Sequence, residues 1–242
     1  MKKSIVLKKK TLKNLINFFF KKKITIIDAG VHKGDFLKKK IGLKKINKAL
    51  MIDPIMQDSI KKLINKKFRF LNLALGNKSV NSSFYIHSKK YPEWSSLHLI
   101  SKESPYNTHY KKYLIKPKKK IISQDTLDNL FKKKDIINYL NLDKEKIDIL
   151  KIDCQSTTLQ ILQGASQILN KNKLRMIIAA INPYNFYQNK SDNLIKILKY
   201  LDSKNFELLN IANAHNGKLG SLNYSYSNFK IWTFDAIFIK KK

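Results

Sequence analysis

Three aspartates and two glycines carry the pattern in this chain that is able to do chemistry. Asp28 closes an apolar run, and Gly30 and Gly34 follow it; Asp53 closes a second apolar run, and Asp153, preceded by Lys151, closes a third. A glycine turn after a strand lets backbone approach a ligand closely or adopt φ > 0, because no Cβ stands in the way. An acid at the end of the first strand offers acceptors to an ammonium or hydroxyl group. An acid ending the second strand, about twenty residues on, sits where a ribose diol is read. The spacing points to a pocket for a nucleoside-bearing cofactor. On its own, D-x-G-x-x-x-G is equally the signature of a structural βα turn, and it is Asp53 at that distance that favours the cofactor.

The elements that must position these residues follow from apolar periodicity. Residues 24–27 read as a short buried strand, followed by the glycine turn and a helix through about Lys40. Residues 49–52 form the second strand, and Ile55, Ile60, Leu63 and Ile64 the next helical stripe. A third strand is expected over 68–75, stopped by Gly76-Asn77, with further strands at 83–87 and 120–123. Residues 147–153, 176–181, 206–211 and 231–239 complete the strands, with helical stripes at Leu159 to Leu169 and Leu194 to Leu201 between them. Alternating strands and helices with two strands at the end indicate an α/β three-layer sandwich. In such sheets ligands lie outside the carboxyl ends of the strands, where Asp28, Asp53 and Asp153 all fall.

Residues 88–120, polar and rich in aromatics (Tyr91, Trp94, Tyr106, Tyr110, Tyr113), form an inserted loop region within about 83–123 and a candidate substrate-facing lid. Residues 1–23 form a leading basic segment whose Leu12, Leu15, Ile16, Phe19 and Phe20 share one helical face. That face suits either a membrane surface or one side of the sheet.

At 242 residues the chain is long enough for one substantial core, and no apolar run approaches the roughly 18 residues needed to span a bilayer. A single cysteine, Cys154, excludes an intrachain disulfide and fits a reducing, cytoplasmic setting; no signal peptide is read at the N-terminus. The net charge of +32 attracts polyanions in principle. Yet Arg69 and Arg175 are the only arginines, and lysine runs such as 8–10, 21–23 and 118–120 punctuate element ends. Nucleic-acid readers favour arginine. The excess of Lys, Ile and Asn is better read as a coding bias toward A- and T-rich codons on a solvated surface.

Taken in order, IDAGVHKGDF, MIDP, LNLALGNK, WSSL, SQDTLDNL and IDILKIDCQSTTLQILQGA resemble the FkbM family of S-adenosylmethionine-dependent methyltransferases, over roughly residues 24–240. The resemblance implies a Rossmann-like class I methyltransferase fold with a mostly parallel sheet and an antiparallel closing strand. It implies S-adenosyl-L-methionine as cofactor and methylation of a hydroxyl on a sugar or other small molecule. Asp28, Gly30 and Gly34 match the family's cofactor turn, and Asp53 takes the ribose position. Asn72 and Ala74 fall in the stretch that borders the adenine. The chain departs from the family after LKID, where V-E/Q-G-x-E is replaced by Cys154, Gln155, Ser156, Thr157 and Thr158, and where Ala180 stands in place of an acid on the next strand.

Transfer from a sulfonium needs in-line placement of the acceptor and, for an alcohol, a base within reach of its proton. Asp153 and Lys151 are the candidates there, with contact to the cofactor's methionine part as the alternative for Asp153. His32 reads as a solvated turn residue that is also able to touch cofactor or acceptor. Ser95 and Ser96 resemble a family serine pair, and Cys154 reads as a small buried side chain. His87, His98, His109 and His215 show no metal-ligand spacing, so no metal site is expected. Two rival functions remain: a nucleic-acid methyltransferase drawn by the positive field, and a diverged domain that keeps the fold without acceptor chemistry.

Overall fold

The computed structural model describes residues 12–104, 106–107, 110–171, 173–182, 186–188, 193–216 and 231–241, with backbone alone at 213–216 and 231–232. The lysines at 8–10, His109 and residues 217–230 lie outside them, as does the side chain of His215.

Seven strands form one sheet: β1 (Ile24–Ala29), β2 (Ile46–Ile52), β3 (Phe68–Leu71), β7 (Ile147–Ile152), β8 (Leu174–Ile181), β9 (Phe206–Asn216) and β10 (Ile231–Lys240). Their order is β3-β2-β1-β7-β8-β10-β9. The first five strands run parallel, and β10 inserts antiparallel between β8 and β9. A small second sheet is built from β4 (Ala74–Leu75), β5 (Val80–Ile86) and β6 (Lys118–Asp125), with β6 in the middle.

The central strands are mostly apolar because both of their faces are covered. Ile26, Met51, Ile149 and Ile178 point into one core together with Leu12, Leu15 and Ile16 of α1 (Leu12–Phe19) and Ile60 of α2 (Asp58–Lys61). Ile27, Leu50, Leu150 and Ile177 point the other way. There they meet α3 (Leu127–Leu130), α4 (Lys134–Leu140), α5 (Thr158–Gln163), α6 (Ser166–Asn170) and α7 (Leu194–Ser203). The period-2 alternation of β structure thus divides one apolar sequence between two helical layers. The leading helix is one of them, since its apolar face is buried against the sheet.

The expected third strand divides. Phe68–Leu71 pairs with β2, whereas Ala74–Leu75 pairs with β6 in the small sheet. The chain changes sheets at residues 72–73, where the Asn72 side-chain amide donates to the Asp53 carbonyl oxygen at 3.2 Å. The helix expected after Gly34 is a π-helical turn, Phe36–Ile41, and the stripe from Ile55 to Ile64 shortens to α2, which buries Ile60 and leaves Ile64 exposed.

Candidate active site

The carboxyl-terminal ends of β1, β2 and β7 open into a cavity of about 210 Å³, which is also lined by Leu73, Ala74 and Phe84 of the small-sheet region and by Pro92, Glu93 and Ser95. Asp28, Gly30, Asp53, Ala74, Lys151 and Asp153 all line it, so the residues singled out from sequence come together from four separate elements. Gly34 and Asn72 do not line it. Gly34 has φ +76, and a Cβ there would crowd the Ile60 side chain at 3.0 Å, so its place is in the packing of the turn against α2. Asn72 braces the backbone behind Asp53.

Gly30 has φ +77, and a Cβ on it would overlap the Asp153 carbonyl oxygen. Its N–H donates to Ile52 O at 2.8 Å, which closes the turn over the end of β2. Only a residue without a side chain satisfies both the conformation and the close approach.

Asp28 is fully buried, and its Oδ2 has no hydrogen-bond partner. Burial pushes its carboxyl up to about 7, opposed by Lys151 and reinforced by Asp153 and Asp53. A carboxylate held dry beside the opening, with an unused oxygen, suits an ammonium group brought by a ligand. Asp53 is raised by burial as well, against the pull of two backbone N–H groups: His32 N donates to Oδ2 at 3.0 Å and Ile55 N to Oδ1 at 2.9 Å. Each oxygen keeps acceptor capacity for a further donor such as a diol.

Lys151 is buried with its ammonium 3.2 Å from Asp153 Oδ2 and 3.8 Å from Asp235 Oδ1. Burial disfavours the charged amine, but Asp153, Asp235 and Asp28 outweigh it and hold the group above its ordinary range. Gln155 Nε2 reaches Asp153 Oδ1 at 3.5 Å, while its Oε1 accepts from the Tyr187 hydroxyl at 3.3 Å. Tyr187 also donates to Trp94 O at 2.8 Å, and Trp94 is stacked between Tyr91 and Tyr106 at centroid distances of 4.3 and 4.4 Å. The aromatic stretch is therefore packed behind the cavity-lining Pro92, Glu93 and Ser95, and is tied to Asp153 through Gln155.

The positions that depart from the family pattern are engaged with one another. Thr158 Oγ1 donates to Ala180 O at 3.2 Å, and Ser156 and Gln155 both adopt positive φ, 66° and 47°. Burial pushes the Cys154 thiol well up, which keeps it protonated although it lines the cavity. His87 and His98 stand outside the lining, and no group of three or more metal-ligating side chains occurs among the described residues. No helix among them is long and apolar enough to cross a membrane.

Two residues escaped the sequence reading. Asp235 lies within a hydrophobic strand with no turn or glycine to mark it, and Glu93 lies in a loop. His32, read as solvated, has a buried Nε2 that stands 3.7 Å from Glu93 Oε2. Periodicity carries no signal for the His32–Glu93 or the Lys151–Asp235 approach, because each joins segments that only the fold brings together.

Comparison with known proteins follows the same outline. The model of the methyltransferase FkbM domain matches residues 28–208. No curated protein matches the chain in sequence. Among solved structures, the chain is similar to methyltransferase FkbM from Methylobacillus flagellatus KT, with a TM-score of 0.50 and 15% identity over 89% of this chain and 43% of that one. It spans less than half the length of that neighbour. A second neighbour is the 1,6-didemethyltoxoflavin-N1-methyltransferase of Burkholderia thailandensis, solved with 1,6-didemethyltoxoflavin and S-adenosylhomocysteine bound. Its TM-score is 0.45, with 8% identity over 96% of this chain and 77% of that one.

Proposed function

The chain belongs to the FkbM methyltransferase family and has the Rossmann-like class I fold, and from that footing we propose that it moves the methyl group of S-adenosylmethionine to a hydroxyl of a sugar or related small molecule. The observation that carries this reading is electrostatic. In a chain of net charge +32, five of the 17 acidic side chains (Asp28, Asp35, Asp53, Glu93 and Asp153) line one cavity alongside only Lys33 and Lys151. An acid-lined cavity in a lysine-rich protein suits a ligand of net positive charge, and the donor carries an ammonium and a sulfonium against one carboxylate.

The residues present fit that donor. Asp28 Oδ2 is free to accept from its ammonium group, Gly30 lets the turn pack against the Asp153 backbone at the cavity edge, and Asp53 would take its ribose hydroxyls. Leu73 and Ala74 supply an apolar edge for the adenine. Lys151 and Asp153, already paired, orient one another at the methionine end. The donor supplies an activated methyl group when bound, and the chain's part is to align the acceptor and receive its proton. Acids at the mouth repel a phosphate backbone, which favours a small neutral acceptor over nucleic acid.

Calorimetric titration of the whole chain with S-adenosylmethionine tests the reading. Saturable binding to one site, weakened in Asp28→Asn, is expected. A flat titration with intact, folded protein would overturn the assignment.

A further inference from the structure

Among the described residues, three buried side-chain polar atoms lack a hydrogen-bond partner: Asp28 Oδ2, His32 Nε2 and Ser95 Oγ. All three belong to residues that line the same cavity. Buried polar groups in folded proteins are nearly always paired, and each exception needs a reason. Three exceptions around one cavity are most simply the places where ligand atoms complete the bonding. The donor's ammonium accounts for Asp28. His32 and Ser95 are left: both line the cavity together with Glu93, whose Oε2 lies 3.7 Å from His32 Nε2.

Resting on the methyl-transfer reading above, we propose that His32 is the catalytic base, taking the acceptor's hydroxyl proton at Nε2, with Ser95 Oγ hydrogen-bonded to the same hydroxyl and Glu93 as the positioning residue. Asp153 is less suited to that task because its carboxylate is engaged by the Lys151 ammonium at 3.2 Å and by Gln155. Proton transfer also needs somewhere for the new charge to rest. His32 is faced by carboxylates from three directions: Asp35 from its own turn, Asp53 from the end of β2, and Glu93 from the opposite wall. With its proton on Nδ1, the neutral ring carries an accepting lone pair on Nε2. The acceptor oxygen bonds to the methyl carbon as the carbon–sulfur bond breaks and its electron pair remains on sulfur. The hydroxyl proton passes to Nε2, and the resulting imidazolium is left beside Glu93.

The backbone supports the assignment. His32 adopts φ 46°, a left-handed conformation that Asn, Asp and His enter more readily than other side chains, and its own N–H donates to Asp53 at 3.0 Å, which fixes the turn. The Glu93 wall is fixed as well. Ser96 exchanges backbone hydrogen bonds with Tyr85 of β5 at 2.8 and 3.1 Å, and Ser96 Oγ donates to Gln155 O at 2.8 Å.

The test uses the whole chain, S-adenosylmethionine labelled in its methyl group, and a panel of methyl glycosides of hexoses and 6-deoxyhexoses as acceptors. His32→Asn keeps the left-handed conformation accessible and should bind S-adenosylmethionine within about twofold of wild type while losing at least about a hundredfold in kcat. His32→Gly should regain part of its rate on addition of free imidazole, a rescue that a purely structural role does not give. Glu93→Gln should lower kcat while KM changes little. A His32→Asn chain that retains turnover within a few-fold overturns the assignment. So does a wild-type chain that binds the cofactor yet methylates none of the glycosides, which leaves the cofactor reading standing. Absence of cofactor binding in the wild type sinks the methyl-transfer reading itself.

Discussion

Asp235 on β10 lies 3.8 Å from the ammonium of Lys151 on β7, although β8 runs between their two strands. In register, Asp235 stands opposite Ala180 of β8. The small side chain at that point of β8 leaves Asp235 and the long stem of Lys151 to meet past it. A buried ammonium is thereby given two carboxylates on separate elements, Asp153 being the other.

Removing one of those carboxylates leaves a buried positive charge short of a partner. Asp235→Asn should lower stability by about 1–3 kcal/mol and bring the Lys151 amine down toward its ordinary range. Adding Lys151→Met should recover part of the loss, because two apolar or neutral groups tolerate burial better than one unpaired charge. Denaturant unfolding of the two single variants, the double variant and the parent closes a cycle. A coupling energy of zero would show the 3.8 Å approach to be energetically idle.

Asp28 makes opposite pH predictions for the free and liganded protein. Its folded-state pKa is raised from 3.8 to about 7, so the native state holds the proton more tightly. The associated stability is fully present below the unfolded value and is lost as pH rises through about 7. Thermal melting of the ligand-free chain should show that fall, and Asp28→Asn should flatten it. Affinity for S-adenosylmethionine runs the other way, weakening about tenfold per pH unit below 7 and levelling off above it. Calorimetric titration between about pH 5 and 8 measures the slope, and an affinity independent of pH in the wild type would remove Asp28 from the ammonium site.

Asp53 serves both a turn and a ligand. Asp53→Ala should weaken cofactor binding by about 1–3 kcal/mol and also cost stability, since the N–H groups of His32 and Ile55 lose their acceptor. Titration and melting of the same variant separate the two effects. Unchanged affinity with a lowered melting temperature would leave Asp53 as a turn brace only.

Gly30→Ala meets both a positive φ and the Asp153 carbonyl oxygen. A destabilisation of about 1–2 kcal/mol is expected from the backbone conformation alone, with a further loss from the overlap and no measurable cofactor binding. A variant that melts like the parent would mean that the turn relaxes freely.

Trp94 is buried at the centre of an aromatic stack. Trp94→Ala should cost about 3–5 kcal/mol, read by denaturant unfolding, whereas Tyr187→Phe should cost only about 1 kcal/mol for its lost hydroxyl bonds to Trp94 and Gln155.

The sheet and most of its cavity could be read in the sequence because buried parallel strands are apolar runs that end sharply at acids. Runs such as 24–27 and 49–52 carry that signature whatever surrounds them, and 147–153 carries it apart from Asp148 and Lys151. The third strand was read as one piece because nothing local separates Phe68–Leu71 from Ala74–Leu75. Each half is apolar, and the division is imposed by β6 pairing with the second half. His32 reads as a solvated turn residue for a similar reason: its local sequence is a polar turn, and only the fold brings Glu93 to within 3.7 Å of its Nε2. Asp235 carries no mark in the sequence; the insertion of β10 between β8 and β9 is what brings it to 3.8 Å from the Lys151 ammonium.

That insertion has a consequence for biosynthesis. As the polypeptide emerges, Lys151 is made long before Asp235, and the slot between β8 and β9 has to accept the final strand after both of its walls exist. Until then the lysine relies on Asp153 and Asp28 alone. A ribosome-stalled or prematurely terminated product therefore carries an open seam in its sheet, the kind of exposed edge that chaperones and proteases act on.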